Sequence, residues 1–265
     1  MIRRSERVTF AGGGGFELAG IIDVPDAQPL GTAIFTHCFT CNKDLKAIVR
    51  ISRGLAAAGF RVLRYDLTGL GGSRGDFSQT NFTTNRKDLL AACAFMTQTY
   101  GAPDFLIGHS FGGACSLSLA QHFESVRGVV AVAAPSDTTH LADLLERKNP
   151  QIATQGNGSV TIGGRDFHIY DHMLADFRSF NLHAILRQTT KPALLFHSPV
   201  DETLGFEHVL RLFALLTQRS DQDPDPSPAS LICLPGADHL LVRNPADIEF
   251  VTASIAAWFQ RLLAD

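Results

Sequence analysis

The stretch that decides the fold reads Phe105-Leu106-Ile107-Gly108-His109-Ser110-Phe111-Gly112-Gly113. A short apolar run leads into the pattern G-x-S-x-G, and a helix-like segment follows at residues 112–122. Glycine on both sides of Ser110 allows a strand and a helix to approach closely around a sharp turn. The five-residue pattern by itself is weak evidence, because accidental matches are common. The strand–turn–helix context is what predicts an exposed, reactive serine.

Strand-like and helix-like segments alternate along most of the remaining chain. Two strand-like segments flank the glycines at 12–15 and predict an opening antiparallel hairpin. Later strands are predicted at 32–36, 60–65, 105–107, 129–133, 193–196 and 231–234, and helices at 46–58, 82–100, 112–122, 206–218 and 246–263. This alternation is typical of a doubly wound, mostly parallel sheet. The fold class is therefore α/β, and we expect residues 1–265 to form one domain.

The alternation breaks at about residues 136–190, where we expect an insertion that acts as a lid. A short helix at 141–148, a hairpin at 159–169 and a helix at 171–186 are predicted there. Its apolar residues Phe167, Met173 and Phe177 are candidates to bind substrate, although packing within the lid would explain them equally well. Residues 221–230, which are rich in proline and aspartate, are predicted to form a solvated loop.

Composition excludes several classes of function. The net charge is -3 with 18% charged residues, unlike a basic nucleic-acid binder. The longest apolar stretches are shorter than a membrane span, and no apolar segment follows Arg3 and Arg4, so neither membrane insertion nor a signal peptide is expected. The five cysteines, three of them (Cys93, Cys115 and Cys233) in apolar contexts, predict buried thiols without disulfides, and hence a cytoplasmic location.

A nucleophilic serine needs a base, and the base needs a carboxylate that orients it. Asp201 follows the predicted strand at 193–196, and His239 follows the strand at 231–234. Both residues therefore lie at the carboxyl ends of strands, on the same sheet edge as Ser110. We predict the catalytic triad Ser110, Asp201 and His239, with Glu202 and Asp137 as rival acids.

The same pattern predicts an oxyanion hole. The backbone N–H of Phe111, directly after the serine, is one expected donor. The second is expected in the loop His37-Cys38-Phe39-Thr40-Cys41, from Cys38 or Phe39, and Phe39 is preferred. Cys38 and His109 are further candidates for lining the site.

Three other motifs have simpler explanations. Cys38 and Cys41 form a C-x-x-C that could be redox-active, but small residues that suit a tight loop are the favoured interpretation. His168 and His172 have the spacing of two zinc ligands on a helix, yet no third ligand is evident, and no metal is predicted. The glycine-rich segment 66–73 lacks the residues of a nucleotide-binding loop, so no cofactor is expected.

Five segments together resemble one branch of the α/β-hydrolases, in which the hydrolase is often fused to an OsmC-like domain. They are residues 36–44 (THCFTCNKD), 66–73 (DLTGLGGS), 108–113 (GHSFGG), 197–203 (HSPVDET) and 236–239 (GADH). The resemblance implies the α/β-hydrolase fold, the triad already named and a generic esterase activity. It also implies an OsmC-like protein as a possible partner, since no such domain is present in these residues.

The sequence thus predicts a serine hydrolase that cleaves a small carboxylic ester through an acyl-enzyme. Alternatives are the same triad acting on a thioester, peptide or carbon–carbon bond, a redox-linked partner module that uses Cys38 and Cys41, or a binding protein with an unused triad. A homodimer is a further possibility, although no sequence feature argues for it.

Overall fold

An eight-stranded mixed sheet forms the centre of the molecule, which a computed structural model describes for residues 4–217 and 229–264. The strands are β1 (Arg4–Ala11), β2 (Glu17–Val24), β3 (Gly31–Thr36), β4 (Phe60–Tyr65), β5 (Phe105–His109), β6 (Gly128–Val132), β9 (Ala193–His197) and β10 (Ala229–Cys233). Their order is β1-β2-β4-β3-β5-β6-β9-β10. The six strands from β4 to β10 in that order are parallel, and β1 and β2 form the antiparallel hairpin. The predicted fold class is therefore confirmed.

Helices cover both faces of the sheet. Four helices connect sheet strands, namely α1 (Lys46–Ala57), α2 (Phe82–Thr99), α3 (Phe111–Leu119) and α8 (Glu207–Thr217), and α9 (Pro245–Ala264) follows the last strand. Helices α1 and α9 pack against one face, around Phe60, Phe105 and Phe259. Helices α2, α3 and α8 contribute to the hydrophobic cluster on the other face. The central strands β3, β5, β6 and β9 are buried along their full length, as expected for a parallel sheet covered on both sides.

The insertion lies between β6 and β9. It contains α4 (Thr139–Lys148), α5 (Gln151–Gln155), the separate hairpin β7 (Asn157–Ile162) and β8 (Arg165–Tyr170), α6 (Asp171–Ser179) and α7 (Leu182–Gln188). Gly163 and Gly164 make the hairpin turn, both with positive φ. The single helix predicted at 171–186 is wrong. Two helices form because the Asn181 side chain accepts from the N–H of Ala184 and begins α7 there.

The cysteine prediction needs correction. Cys38 and Cys41 form a disulfide, whereas Cys93 and Cys115 are buried thiols as expected. Cys233 is exposed, because it is the last residue of β10, the edge strand of the sheet. Cys233 is therefore not buried at that edge, although its neighbours in the sequence are apolar. The predicted loop at 221–230 falls mostly outside the described residues.

Candidate active site

Ser110 lies at a strained turn between β5 and α3. Its φ is 54° and its ψ is -123°, a conformation that non-glycine residues adopt only when the surrounding structure imposes it. The backbone N–H of Ser110 donates to the carbonyl of Val132 on the neighbouring strand β6 at 2.8 Å. A Cβ at Gly108 would lie 2.1 Å from the carbonyl oxygen of Gly112. Gly108 is thus required for strand and helix to meet this closely.

Asp201 and His239 meet at the carboxyl ends of β9 and β10. The His239 Nδ1 lies 2.7 Å from the Asp201 Oδ2. The other oxygen of that carboxylate accepts from the backbone N–H groups of Thr203 and Leu204, each at 2.8 Å. With Nδ1 donating to the carboxylate, the His239 Nε2 is the nitrogen left to accept a proton.

The environment of Asp201 keeps it ionised. Burial alone would raise the pKa of Asp201, but the hydrogen bonds from His239, Leu204 and Thr203 hold that pKa below its usual value. The carboxylate is therefore negatively charged at neutral pH, as a residue that orients a histidine must be.

The two rival acids have different surroundings. Asp137 accepts from the backbone N–H of His140 at 3.1 Å and pairs with Arg211 at 3.3 Å. The contact with His140 is that of a residue that caps the start of α4, and the contact with Arg211 joins Asp137 to α8. Glu202 is exposed and lines the same cavity as Ser110, but Asp201 is the residue that contacts His239.

His109 contacts the loop that carries His239. Its Nε2 donates to the backbone carbonyl of His239 at 2.8 Å, so the residue before Ser110 holds that loop. Complete burial lowers the pKa of His109 to about 3, and the ring is neutral at physiological pH. His197 makes an equivalent contact with the acid loop, because its Nε2 lies 2.9 Å from the Leu204 carbonyl.

The loop after β3 lies beside the nucleophile. Phe39 is buried, and its ring contacts those of Phe111 and Phe177 with centroids 5.5 and 5.8 Å apart. The His37 Nδ1 donates to the Cys38 carbonyl at 2.7 Å, and its Nε2 accepts from the N–H of Leu67 at 3.1 Å. Together with the Cys38–Cys41 disulfide, these contacts fix the loop in which the second oxyanion donor is expected.

A cavity of about 430 Å³ opens over Ser110 and His239. The residues that line it include Cys38, Phe39, Thr40, Cys41, Phe111, Pro135, His140, Leu141, Leu144, Lys148, Ile162, Gly163, Arg165, Glu202, Thr203, Leu204 and Leu240. A larger groove of about 830 Å³ lies between α1 and α9, but none of these catalytic candidates lines it. The smaller cavity is therefore the candidate substrate site.

Four of the five residues proposed from sequence to bind substrate do not line this cavity. Cys38 does, whereas His109 lies beneath the site. Met173 and Phe177 are fully buried, and the Phe177 ring packs against that of Phe39. Phe167 contacts Phe77 and lines a separate outer cleft, so these apolar residues pack the insertion against the rest of the molecule.

Three residues of α4 that face the cavity are not among those predicted from sequence. Leu141, Leu144 and Lys148 follow the i, i+3, i+7 spacing of one helix face. That signal was present in the predicted helix at 141–148, but periodicity does not say which neighbour a face meets.

The glycine-rich segment 66–73 does not line the cavity. Its Asp66 instead binds Lys43 and the N–H of Gly72, both at 2.8 Å.

Within residues 4–217 and 229–264, no group of three or more His, Cys, Asp or Glu side chains is arranged to hold a metal ion. His168 and His172 instead lie on either side of Tyr170, with ring centroids 4.9 and 6.0 Å from it. No helix in these ranges is long and apolar enough to cross a membrane.

The parallel sheet, the elbow at Ser110 and the paired acid and histidine define a hydrolase of the α/β type. The chain belongs to the alpha/beta hydrolase family, whose model matches residues 33–264. It is similar to the esterase domain of a Rhodothermus marinus protein, with 39% identity, a TM-score of 0.75, and coverage of 97% of this chain and 98% of that one. Many α/β-hydrolases with this fold are esterases, and the protein is a hydrolase enzyme.

The names of two more distant relatives say what those proteins bind or cleave. Est1E from Butyrivibrio proteoclasticus, with ferulic acid bound, shares the fold at 18% identity, a TM-score of 0.80, and coverage of 97% of this chain and 100% of that one. The mitochondrial palmitoyl-protein thioesterase ABHD10 of Rattus norvegicus is 23% identical over 228 residues, which cover 84% of this chain and 73% of the relative.

Proposed function

We propose that this protein is a serine hydrolase that cleaves small carboxylic esters through an acyl-enzyme, with Ser110, His239 and Asp201 as its catalytic triad. The observation that carries the proposal is the 2.7 Å contact between Asp201 and His239, which lines the same cavity as Ser110. The strained backbone of Ser110 supports it, because such strain is concentrated at functional sites.

The reaction has two steps. His239 Nε2 removes the Ser110 hydroxyl proton as Oγ attacks the ester carbonyl, and the negative charge moves to the carbonyl oxygen. The N–H groups of Phe111 and Phe39 stabilise that oxyanion. The alcohol leaves with the proton from His239. Water, deprotonated by His239, then attacks the acyl-enzyme, and the carboxylic acid is released as Ser110 regains its proton. Asp201 stabilises the imidazole of His239 whenever it carries the extra proton.

The experiment is labelling with a fluorophosphonate, read by intact mass, in the wild type and in Ser110→Ala. One adduct on the wild type and none on the variant is expected. Hydrolysis of a short aryl ester should fall by about a thousandfold or more in the variant. The absence of an adduct on folded wild type would overturn the proposal. The named activity of the ABHD10 relative makes thioesters the first alternative, and a matched ester and thioester pair decides between them.

The disulfide favours a second candidate, a redox-linked module in which Cys38 and Cys41 exchange electrons with a partner. The pair lines the cavity and holds the proposed oxyanion loop. A small dithiol would reduce it by exchange and leave two cysteine thiols and an oxidised dithiol. Unchanged hydrolysis in Cys38→Ser/Cys41→Ser, together with no change of the wild type on titration with dithiol, would reject this candidate.

Four further statements about this protein remain predictions. They are the single domain over residues 1–265 with the insertion as its lid, the OsmC-like partner, the homodimer and the cytoplasmic location. Size-exclusion chromatography tests the homodimer directly. The cytoplasmic location rests on the cysteines being free thiols, and the Cys38–Cys41 pair departs from that pattern.

A further inference from the structure

The insertion forms one wall of the cavity, and the side chains along that wall change from apolar to positively charged. Helix α4 presents Leu141, Leu144 and then Lys148, and its rise places Lys148 about 10 Å beyond Leu141 along the helix axis. The β7–β8 hairpin adds Ile162 and then Arg165 to the same wall. Each element thus contributes apolar side chains followed by a cation.

Neither of these two cations has a counter-ion among the described residues. Lys148 and Arg165 are exposed, and within residues 4–217 and 229–264 neither has a carboxylate at ion-pair distance. Arg165 lines both this cavity and the separate outer cleft, and its guanidinium lies over the Phe167 ring, 5.3 Å from its centroid. By contrast, Arg178 of α6 pairs with Asp143, although it belongs to the same insertion.

The remaining charged groups around the cavity lie elsewhere. Glu202, among the described residues the one carboxylate that lines the cavity, belongs to the loop after β9, next to Asp201. His140 lines the cavity at the start of α4, and its Nδ1 contacts the backbone carbonyl of Asp137 at 2.9 Å. The positive charge is therefore on the insertion wall, and the negative charge is on the loop that carries the proposed acid.

We propose that the substrate bears an acidic group, which Lys148 and Arg165 bind while the ester carbonyl lies at Ser110. This inference rests on the proposed function and specifies its substrate class: an ester with a carboxylate separated from the scissile carbonyl by an apolar segment. Leu141, Leu144 and Ile162 contact that segment. A guanidinium and an ammonium suit a carboxylate, because charge-assisted hydrogen bonds are stronger than neutral ones. The carboxylate belongs either to the acyl chain or to the alcohol.

Three aryl esters test this inference and separate the two sources. They are phenyl hexanoate, the monophenyl ester of adipic acid and the hexanoate ester of hydroxybenzoic acid, which are neutral, acidic on the acyl side and acidic on the alcohol side. We expect kcat/KM for one acidic ester to exceed that for the neutral ester by about tenfold at low salt. This preference should shrink at high salt, because ions screen exposed charges.

The variant Lys148→Gln/Arg165→Gln should lose the preference, so that its kcat/KM values for the acidic and the neutral ester become equal. Arg147→Gln is the matched control, because Arg147 neighbours Lys148 on α4 but does not line the cavity. It should keep the preference. Equal kcat/KM for all three esters, or a preference that survives in the double variant, would overturn the inference.

A binding measurement separates this inference from the proposed function. If no ester is hydrolysed, the proposed function fails. Calorimetry with the monomethyl ester of adipic acid and with methyl hexanoate, on Ser110→Ala, still decides the inference. Tighter binding of the acidic ester that disappears in the Lys148→Gln/Arg165→Gln background supports it. Equal binding of the two esters contradicts it.

Discussion

Asp201 and Glu202 are adjacent carboxylates whose roles depend on their contacts. Asp201 binds His239 and two backbone N–H groups, whereas Glu202 faces the cavity. We predict that Asp201→Asn lowers kcat for a neutral aryl ester by about 10³-fold or more, because the amide no longer stabilises the charged imidazole or holds its tautomer. Steady-state kinetics measure this, with circular dichroism to check the fold.

The matched control is Glu202→Gln, which removes the neighbouring charge. Its kcat for the same ester should change by less than about tenfold, since Glu202 has no contact with His239. A larger loss in Glu202→Gln than in Asp201→Asn would make Glu202 the acid and refute the assignment.

The turn between β5 and α3 is the element on which the site depends. A Cβ at Gly112 would lie 2.3 Å from the carbonyl oxygen of Thr36 on β3, and backbone there cannot yield without moving the sheet. Gly112→Ala should therefore lower the free energy of unfolding by about 3 kcal/mol, and the Tm by about 10 °C. Thermal unfolding followed by circular dichroism gives the Tm.

Gly14→Ala is the control for this element. Its Cβ would lie 3.6 Å from the Phe16 ring, an ordinary contact, and the φ of Gly14 is not positive. Its Tm should stay within about 3 °C of the wild type. If Gly112→Ala is no less stable than Gly14→Ala, the close approach of α3 to β3 is incorrect.

Buried histidines link the stability of the whole molecule to pH. Burial lowers the pKa values of His37, His109, His197 and His208 in the folded state. In the unfolded chain a histidine takes up a proton near pH 6.5. Below that pH the unfolded state binds more protons than the folded state, so the free energy of unfolding falls as the pH falls. For His109 this window extends down to about pH 3.

We predict that the free energy of unfolding, measured with urea, decreases from about pH 7 to about pH 5. Removing one such histidine, as in His109→Gln, should reduce the slope by about 1.4 kcal/mol per pH unit, because one proton fewer is taken up on unfolding. His122→Gln serves as a control on a histidine that is not buried. If the curves of unfolding free energy against pH are parallel for the wild type and His109→Gln, then His109 binds a proton in the folded state as it does in the unfolded chain.

Sequence alone was sufficient for the fold and for the positions of the candidate catalytic residues. The alternation of strands and helices predicts a parallel sheet, and the carboxyl ends of parallel strands meet at one edge. Ser110, Asp201 and His239 each follow a predicted strand, so their common edge could be inferred without coordinates. The contact between Asp201 and His239 agrees with that reasoning, because short loops after neighbouring strands β9 and β10 carry them.

The lining of the cavity, the packing of the insertion and the cysteine pairing were decided by tertiary structure. Periodicity identifies an apolar side chain, but it does not distinguish Leu144, which faces the cavity, from Phe177, which is buried against Phe39. Both satisfy the same local pattern, and only the packing of α4 and α6 against the sheet separates them. The Cys38–Cys41 disulfide likewise depends on how the loop after β3 turns. Local sequence determines the elements, whereas contacts between distant elements determine what the site binds.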